Sequence, residues 1–491
     1  MIPDNVVTRS ILQLSTIFLT SVAPLAIAYY IYFFIFHVSP LATHFSPPVV
    51  AFVHYGLGFE LLFYIYFYTS RSRYQRRLRC PEIDKGSREE MIRGVMETVK
   101  DDAHSWLSGW FRLQNGKPAR ISDIYWDNTA EWISWAFYGR DLEQLNECEE
   151  KRREVDEIVK LLEQEYKFKF APGYNQKIKC LRLNFDPVNA IHRPFVFYSV
   201  FIILRYIAEF LLRFMGFVKL PGDGVDSGYW SMTLDLDLKE ETRQSQTYWY
   251  LKPSTSTQQQ KPIVFIHGLG VGIVMYLNFI RKMRTLGHPI FIVELPYVSM
   301  RLQSCQVNAS ETAAMIETML LQHGYTHATF VGHSLGSAVC AWSLKLSPKI
   351  VSGLVLLDPI CFLLHYHDVA YNFVYRKPKT ITEFITYFFA ARELHISYYI
   401  SRHFHWHQAA LFPKRDTLEP LPVGGKNSGS SKTVVYLSEK DNIINSPKVY
   451  TYLKELGIET YLMPKLDHAM FVLHPGWENR VVESVRKVAI S

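Results

Sequence analysis

A-T-F-V-G-H-S-L-G-S, residues 328–337, reads as an apolar strand that runs into a serine flanked by glycines and then into the helical run S-A-V-C-A-W-S-L-K-L. Gly332 and Gly336 stand two residues either side of Ser334, where a side chain would collide with backbone in a sharp strand-to-helix turn. Such a turn lifts the serine Oγ to the sheet edge. The helix N-terminus that follows brings partial positive charge and free N–H groups to the place where an oxyanion would form. Ser334 is therefore the candidate nucleophile.

A serine hydroxyl is a poor nucleophile at neutral pH, so this reading demands a base, an orienting acid and oxyanion donors elsewhere. Upstream, the apolar strand P-I-V-F-I (262–266) ends in His267-Gly268-Leu269-Gly270, a loop suited to supply a donor. The candidate donors are the backbone N–H groups of Leu269 and Leu335, with Gly268 and Gly270 as loop glycines. Downstream, the β-branched strand T-V-V-Y-L (433–437) runs into S-E-K-D-N-I-I, which puts Asp441 at a strand's C-terminal end. After a last short strand, T-Y-L-M (460–463), the loop P-K-L-D-H-A-M-F presents His468. The chain order is Ser334, Asp441, His468.

On these motifs, residues from about 224 to 491 resemble an α/β-hydrolase-fold domain, whose triad follows this order. The resemblance implies a mostly parallel eight-stranded sheet with flanking helices and a helical cap. It also implies acyl-enzyme chemistry, with Ser334 attacking an acyl carbonyl, His468 relaying the proton and Asp441 fixing the imidazole. Asp358, ending the strand S-G-L-V-L-L-D-P, is the alternative acid, because some members of the fold carry it there. Asp441 is preferred, since Asp358-Pro359 also reads as an ordinary turn that starts a cap. Asp467 is a weaker third choice, and His333 inside the turn reads as a packing residue. Relatives with aspartate nucleophiles, the dehalogenase-like and epoxide-hydrolase-like ones, are disfavoured by the serine.

The composition excludes several classes. The chain has 491 residues, 48% apolar and 15% aromatic, enough for a large core and two or three domains. A net charge of +7, from 53 basic and 46 acidic residues, is modest, so nucleic acid is not an expected partner. Six scattered cysteines show no zinc-site or disulfide spacing, which points to reduced thiols facing a cytosolic compartment. No cofactor and no metal is expected.

From residue 10 to 59 there is no charged residue apart from three histidines. Residues 11–37 exceed the about 20 needed to cross a bilayer and are too long for a signal-peptide core. A second apolar stretch, 49–68, closes with R-S-R-Y-Q-R-R-L-R, so a helical hairpin with both ends in the cytosol is expected. Glu60 makes that second stretch either re-entrant or internally neutralised, by protonation or by pairing inside the hairpin. A third segment, 194–218, carries Arg205, Glu209 and Arg213 every four residues. It reads as an amphipathic helix lying in the interface with its stripe toward water or protein, or else as a tilted third span.

The expected organisation is a membrane anchor over 1–80, a helical domain over 81–190, a membrane-associated helix over 191–220 and a catalytic domain over 221–491 with its cap at about 361–432. In the helical domain the dense tryptophans read as core packing, with a place at the membrane interface as the alternative. The cap is aromatic (F-I-T-Y-F-F-A, H-I-S-Y-Y-I), ends in the glycine-serine loop G-G-K-N-S-G-S-S (424–431), and suits an apolar acyl chain. Its R-H-F-H-W-H run lacks nearby ligands for a metal reading, and Asn308 and Glu311 form a capping box. The whole reads as a membrane-anchored, multi-pass serine hydrolase facing the cytosol, on an endoplasmic-reticulum or lipid-droplet membrane, acting on a lipid-like acyl ester. Alternatives are a triad acyltransferase, a peptidase or thioesterase, and a non-catalytic scaffold. No histidine has an aspartate five residues on, so the H-x-x-x-x-D acyltransferase pattern is absent.

Overall fold

The computed structural model describes residues 4–100, 102–222, 246–253, 260–303, 307–413, 416 and 433–490. Cys305 and the 424–431 loop lie outside them, as do residues 223–245 near the expected start of the catalytic domain.

Two long apolar helices open the chain, α1 (Val6–Phe36) and α2 (Pro47–Arg73). Asn5 caps α1 by accepting from the Thr8 N–H, and left-handed His37 ends it. Pro47 and Pro48 start α2 where no N–H is needed, and Arg71 and Arg73 sit in its last turn. The two helices are joined by polar contacts inside the hairpin: the Tyr30 hydroxyl donates to the His54 carbonyl at 2.6 Å, and the Tyr29 hydroxyl lies 3.1 Å from His54 Nδ1.

Helices α3 (Lys85–Val99), α4 (Trp126–Tyr138) and α5 (Glu149–Tyr166) follow, then the apolar α6 (Phe195–Phe214). Helices α1, α2 and α6 are each long and apolar enough to cross a membrane. A two-stranded antiparallel sheet, Phe111–Leu113 with Ile178–Cys180, interrupts a region expected to be helical throughout.

One alternative set for Glu60, pairing inside the hairpin, is corrected, because its partners lie elsewhere in the chain. The helix is continuous, and Glu60 is buried with partners outside the hairpin. Its Oε2 accepts from the Phe195 N–H at 2.7 Å and its Oε1 lies 3.4 Å from His192 Nε2. Glu60 thus joins α2 to the start of α6. The polar stripe of α6 faces protein: Glu209 accepts from Lys219 Nζ at 2.9 Å, and the Arg213 guanidinium lies over Trp249 at 5.5 Å. The opposite face, including Phe210 and Phe214, is exposed.

Four of the five tryptophans in the 81–190 region are core, and the half-buried Trp126 donates to Asp156. Trp106, Trp110, Trp132 and Trp135 are buried, and the indole N–H groups of Trp106 and Trp110 both donate to the His365 carbonyl. One apolar cluster runs from Phe63 through these rings to Ile458 on the catalytic domain.

Among the described residues the main sheet has eight strands: β1 (Val218–Pro221), β2 (Thr247–Leu251), β3 (Ile263–Ile266), β4 (Ile290–Val293), β5 (Ala328–His333), β6 (Val351–Leu357), β7 (Thr433–Ser438) and β8 (Glu459–Met463). Their order is β8-β7-β6-β5-β3-β4-β2-β1; β3 to β8 run parallel, and β2 is antiparallel to both neighbours. Strands β3, β4, β5 and β7 are buried along their whole length, as expected of a sheet covered on both faces. Helix α7 (Ala309–Gln322) begins with the Asn308/Glu311 capping box, and α8 (Leu335–Leu346) follows β5.

The described cap, 361–413, includes a helical stretch, Ile381–Ile385 running on through Thr386–Ala391, and helix α9 (Leu394–Arg402). Its footing is on the apolar helices. Tyr74 stacks on Tyr398 at 3.8 Å, the Tyr66 hydroxyl lies 3.3 Å from His395 Nε2, and Tyr198 donates to Glu393 at 2.9 Å. Burial pushes His403 and His405 down to about 4 and His407 down to about 3. Among the described residues these histidines form no three-ligand group.

Candidate active site

Strand β5 delivers the chain to Ser334 in a conformation that L-residues rarely adopt, φ 51° and ψ −118°, before α8 starts at Leu335. Such a backbone costs about 1–3 kcal/mol and persists only where the surroundings over-determine it. Here the Ser334 N–H donates to the Leu357 carbonyl at 2.9 Å, and the Ser337 hydroxyl donates to the Ser334 carbonyl at 2.6 Å. The flanking glycines are sterically required. A Cβ on Gly336 would collide with the Ile266 carbonyl and meet His267 O at 3.0 Å; one on Gly332 would stand 2.6 Å from Cys340 Sγ.

His468 arrives on the loop after β8 and Asp441 on the loop after β7. His468 Nε2 lies 2.9 Å from Ser334 Oγ, and Nδ1 lies 2.6 Å from Asp441 Oδ2. The second Asp441 oxygen accepts from the Ile443 and Ile444 N–H groups at 2.7 and 2.9 Å. Asp467, the third choice for the acid, is turned away: its Oδ1 accepts from the N–H groups of Asn442 and His468, tying the two loops together. Burial works against a charged imidazole at His468, but the Asp441 and Asp358 carboxylates outweigh it and raise the group to about 9.

The loop His267–Gly270 is held from several sides. His267 Nε2 accepts from the Leu295 N–H at 3.0 Å, the Gly270 N–H donates to the Val298 carbonyl at 2.9 Å, and the Gly268 N–H donates to the Tyr276 hydroxyl at 3.2 Å. Gly270 has φ +124°, and a Cβ on Gly268 would stand 2.9 Å from Ser334 Cβ. Among the described residues neither the Leu269 nor the Leu335 N–H donates a hydrogen bond.

Two readings change. His333 is buried but is more than packing, since its Nδ1 lies 2.6 Å from the Tyr276 hydroxyl. Asp358 is no ordinary surface turn: it is fully buried, with φ 42°, and accepts from Ser438 and Ala469. Tyr276 and Ser438, which complete this polar layer, lie in no recognisable motif and were not anticipated. Polar ligand atoms of Asp358, Asp441 and His468 lie within 4.8 Å of one another, a spacing a cation could use. Both His468 nitrogens are already engaged, however, and each carboxylate accepts from backbone donors, so the donor set suits proton transfer better than metal binding.

The cap rests on the acid loop. Asn442 Nδ2 donates to Thr386 Oγ1 at 3.0 Å, Asn372 Nδ2 donates to the Ile443 carbonyl at 2.9 Å, and Arg376 reaches the Asn442 carbonyl. Ser334 is only 4% exposed.

Residues 261–456 match the family model described as "alpha/beta hydrolase fold". The chain is also similar to Ethanol acetyltransferase 1 of Wickerhamomyces anomalus and of Wickerhamomyces ciferrii, at 22% identity over 128 residues. That match covers 26% of this chain and only 31% and 30% of theirs. Among solved structures, a carboxylesterase from the thaumarchaeon Nitrososphaera gargenis is 12% identical with a TM-score of 0.36, covering 52% of this chain and 98% of that one. Carboxylesterase CesB of Bacillus subtilis is 15% identical at 0.31, covering 49% and 87%. The family match and the sheet order seen here together show that the C-terminal part of this chain has the α/β-hydrolase fold.

Proposed function

We propose that the protein is a membrane-anchored serine hydrolase that cleaves an ester of an apolar acyl group. The carrying observation is the hydrogen-bonded series Ser334–His468–Asp441. Ser334 Oγ attacks the acyl carbonyl while His468 Nε2 takes its proton; Asp441 holds the imidazole and balances the imidazolium. The Leu269 and Leu335 N–H groups receive the oxyanion. His468 then protonates the leaving alkoxide, and water, deprotonated by the same imidazole, releases the acid. The apolar helices and aromatic cap support a lipid-like substrate reaching the site from a bilayer. The arginines after α2 support a catalytic domain on the cytosolic side, although Arg77 also pairs with Asp141 and Arg79 with Glu82. An endoplasmic-reticulum or lipid-droplet membrane remains the proposed location.

A second reading is acyl transfer to an alcohol in place of water. The similarity to ethanol acetyltransferases and the near-complete burial of Ser334 favour it. One experiment separates the readings. The full chain in detergent is labelled with a fluorophosphonate and assayed on a panel of acyl esters with and without added alcohol. Hydrolysis predicts free acid throughout, and transfer predicts a new ester that rises with alcohol. Ser334→Ala should remove labelling and turnover while expression stays intact. Labelling that persists in Ser334→Ala would refute the assignment.

A further inference from the structure

The unused acid candidate, Asp358, has a place of its own. Its Oδ1 accepts from the Ser438 N–H at 2.6 Å; its Oδ2 accepts from the Ser438 hydroxyl at 3.0 Å and from the Ala469 N–H at 2.9 Å. Ser438 ends β7, three residues before Asp441. Ala469 follows His468 and is itself left-handed, with φ 67°. One buried carboxylate therefore grips both the loop carrying the acid and the loop carrying the base.

On its other side Asp358 faces the elbow. His333 Nε2 lies 3.8 Å from Asp358 Oδ2, while Nδ1 lies 2.6 Å from the Tyr276 hydroxyl. The Tyr276 oxygen also accepts from the Gly268 N–H, so this one hydroxyl joins the oxyanion loop to His333. A polar line runs behind Ser334: the oxyanion loop, Tyr276, His333, Asp358, and the His468 loop. Burial opposes a charge on Asp358, but His333, the His468 imidazole and the Ala469 N–H hold its carboxyl below the ordinary value.

We infer that Asp358 is a positioning residue, which locks the His468 and Asp441 loops in register with the oxyanion loop and adds a second negative charge to the imidazolium formed during the reaction. This rests on the Ser334–His468–Asp441 reading. The charged and titratable groups facing His468 are Asp441 after β7, Asp358 after β6, Asp467 on its own loop, and His333 at the end of β5. Only neutral His468 can act as base. Removing the Asp358 charge lowers the imidazole's proton affinity, so the acidic limb of kcat/KM must move to lower pH.

The test uses the full chain in detergent with a soluble short-chain p-nitrophenyl ester. Asp358→Asn should lower kcat about tenfold with KM within about twofold, and shift the acidic limb down by about half a pH unit or more. Wild-type kcat and limb in folded Asp358→Asn overturn the inference, as does a loss confined to KM. If that variant does not fold, Ser438→Ala carries the test. It removes one donor and keeps the carboxylate, so kcat should fall about threefold at unchanged KM; a wild-type kcat overturns the inference. Failure of the underlying reading shows separately, as turnover that survives Ser334→Ala.

Discussion

Replacing Asp441 by Asn leaves the shape of the site almost unaltered and removes one charge. The elevation of His468 from 6.5 to about 9 corresponds to roughly 3 kcal/mol of preference for imidazolium, gained although burial opposes it. Asp441, 2.6 Å from Nδ1, is its chief source. Imidazolium is the state reached as Ser334 attacks, so losing that preference raises the barrier by about 3 kcal/mol, roughly two decades in rate. The penalty should also depend on pH. Wild-type enzyme has little neutral His468 below pH 7, whereas the variant, with a lower imidazole pKa, retains more of it. A pH series of kcat/KM on a soluble ester should show a gap of at least about a hundredfold at alkaline pH that narrows toward pH 6. A penalty under tenfold at alkaline pH, one that does not change with pH, or one smaller there than that of Asp358→Asn would refute the assignment of Asp441 as the acid.

Other perturbations have outcomes fixed by geometry. Gly336→Ala pushes a methyl into the Ile266 and His267 backbone, so it should lower Tm by several degrees and abolish fluorophosphonate labelling; wild-type labelling would contradict the tight elbow. Glu294, buried at the end of β4, receives two hydrogen bonds from Arg301, and its pairing outweighs burial to keep its carboxyl well below the usual range. Its contribution is therefore complete above the unfolded carboxylate pKa and is lost as pH falls. Glu294→Ala should destabilise by about 3–5 kcal/mol at pH 7, measured by thermal or denaturant unfolding, with a smaller difference at pH 3. Deleting residues 1–80 should leave a protein that still binds liposomes through the exposed face of α6 but has lost most turnover, because Phe67 and Tyr74 no longer support Leu394 and Tyr398. A monodisperse, fully active truncated chain that ignores liposomes would contradict both parts.

The elbow, the order of the triad candidates and the three apolar helices could be read from the sequence because each is a local pattern: a strand, two glycines at fixed offsets, or an uninterrupted apolar run. The surroundings of Asp358 are hidden from the sequence for the opposite reason. Its immediate neighbours spell a turn, and its meaning lies in Ser438 and Ala469, 80 and 111 residues away. Glu60 repeats the lesson: a carboxylate in an apolar run signals a need for a partner, but the partner is a backbone N–H at Phe195, which no side-chain pattern marks. The two-stranded sheet at 111–113 and 178–180 has strands too short for an alternating pattern to emerge. The tryptophans announced a buried cluster without saying that the cap carbonyl of His365 would be their acceptor.

The footing of the cap on α2 and α6 gives the site a mechanical linkage. Tyr66, Tyr74 and Tyr198 fix α9 and Glu393 to helices that expose apolar faces, and Thr386 in the same cap meets the residue next to Asp441. Were α2 and α6 to lie in lipid, their tilt would adjust to bilayer thickness at a cost of fractions of a kcal/mol per Å. Each such adjustment would move the cap as a lever moves its load. Turnover would then vary with the thickness and tension of the surrounding membrane at constant substrate concentration, and the lipid would act as a control input as well as a reservoir of substrate.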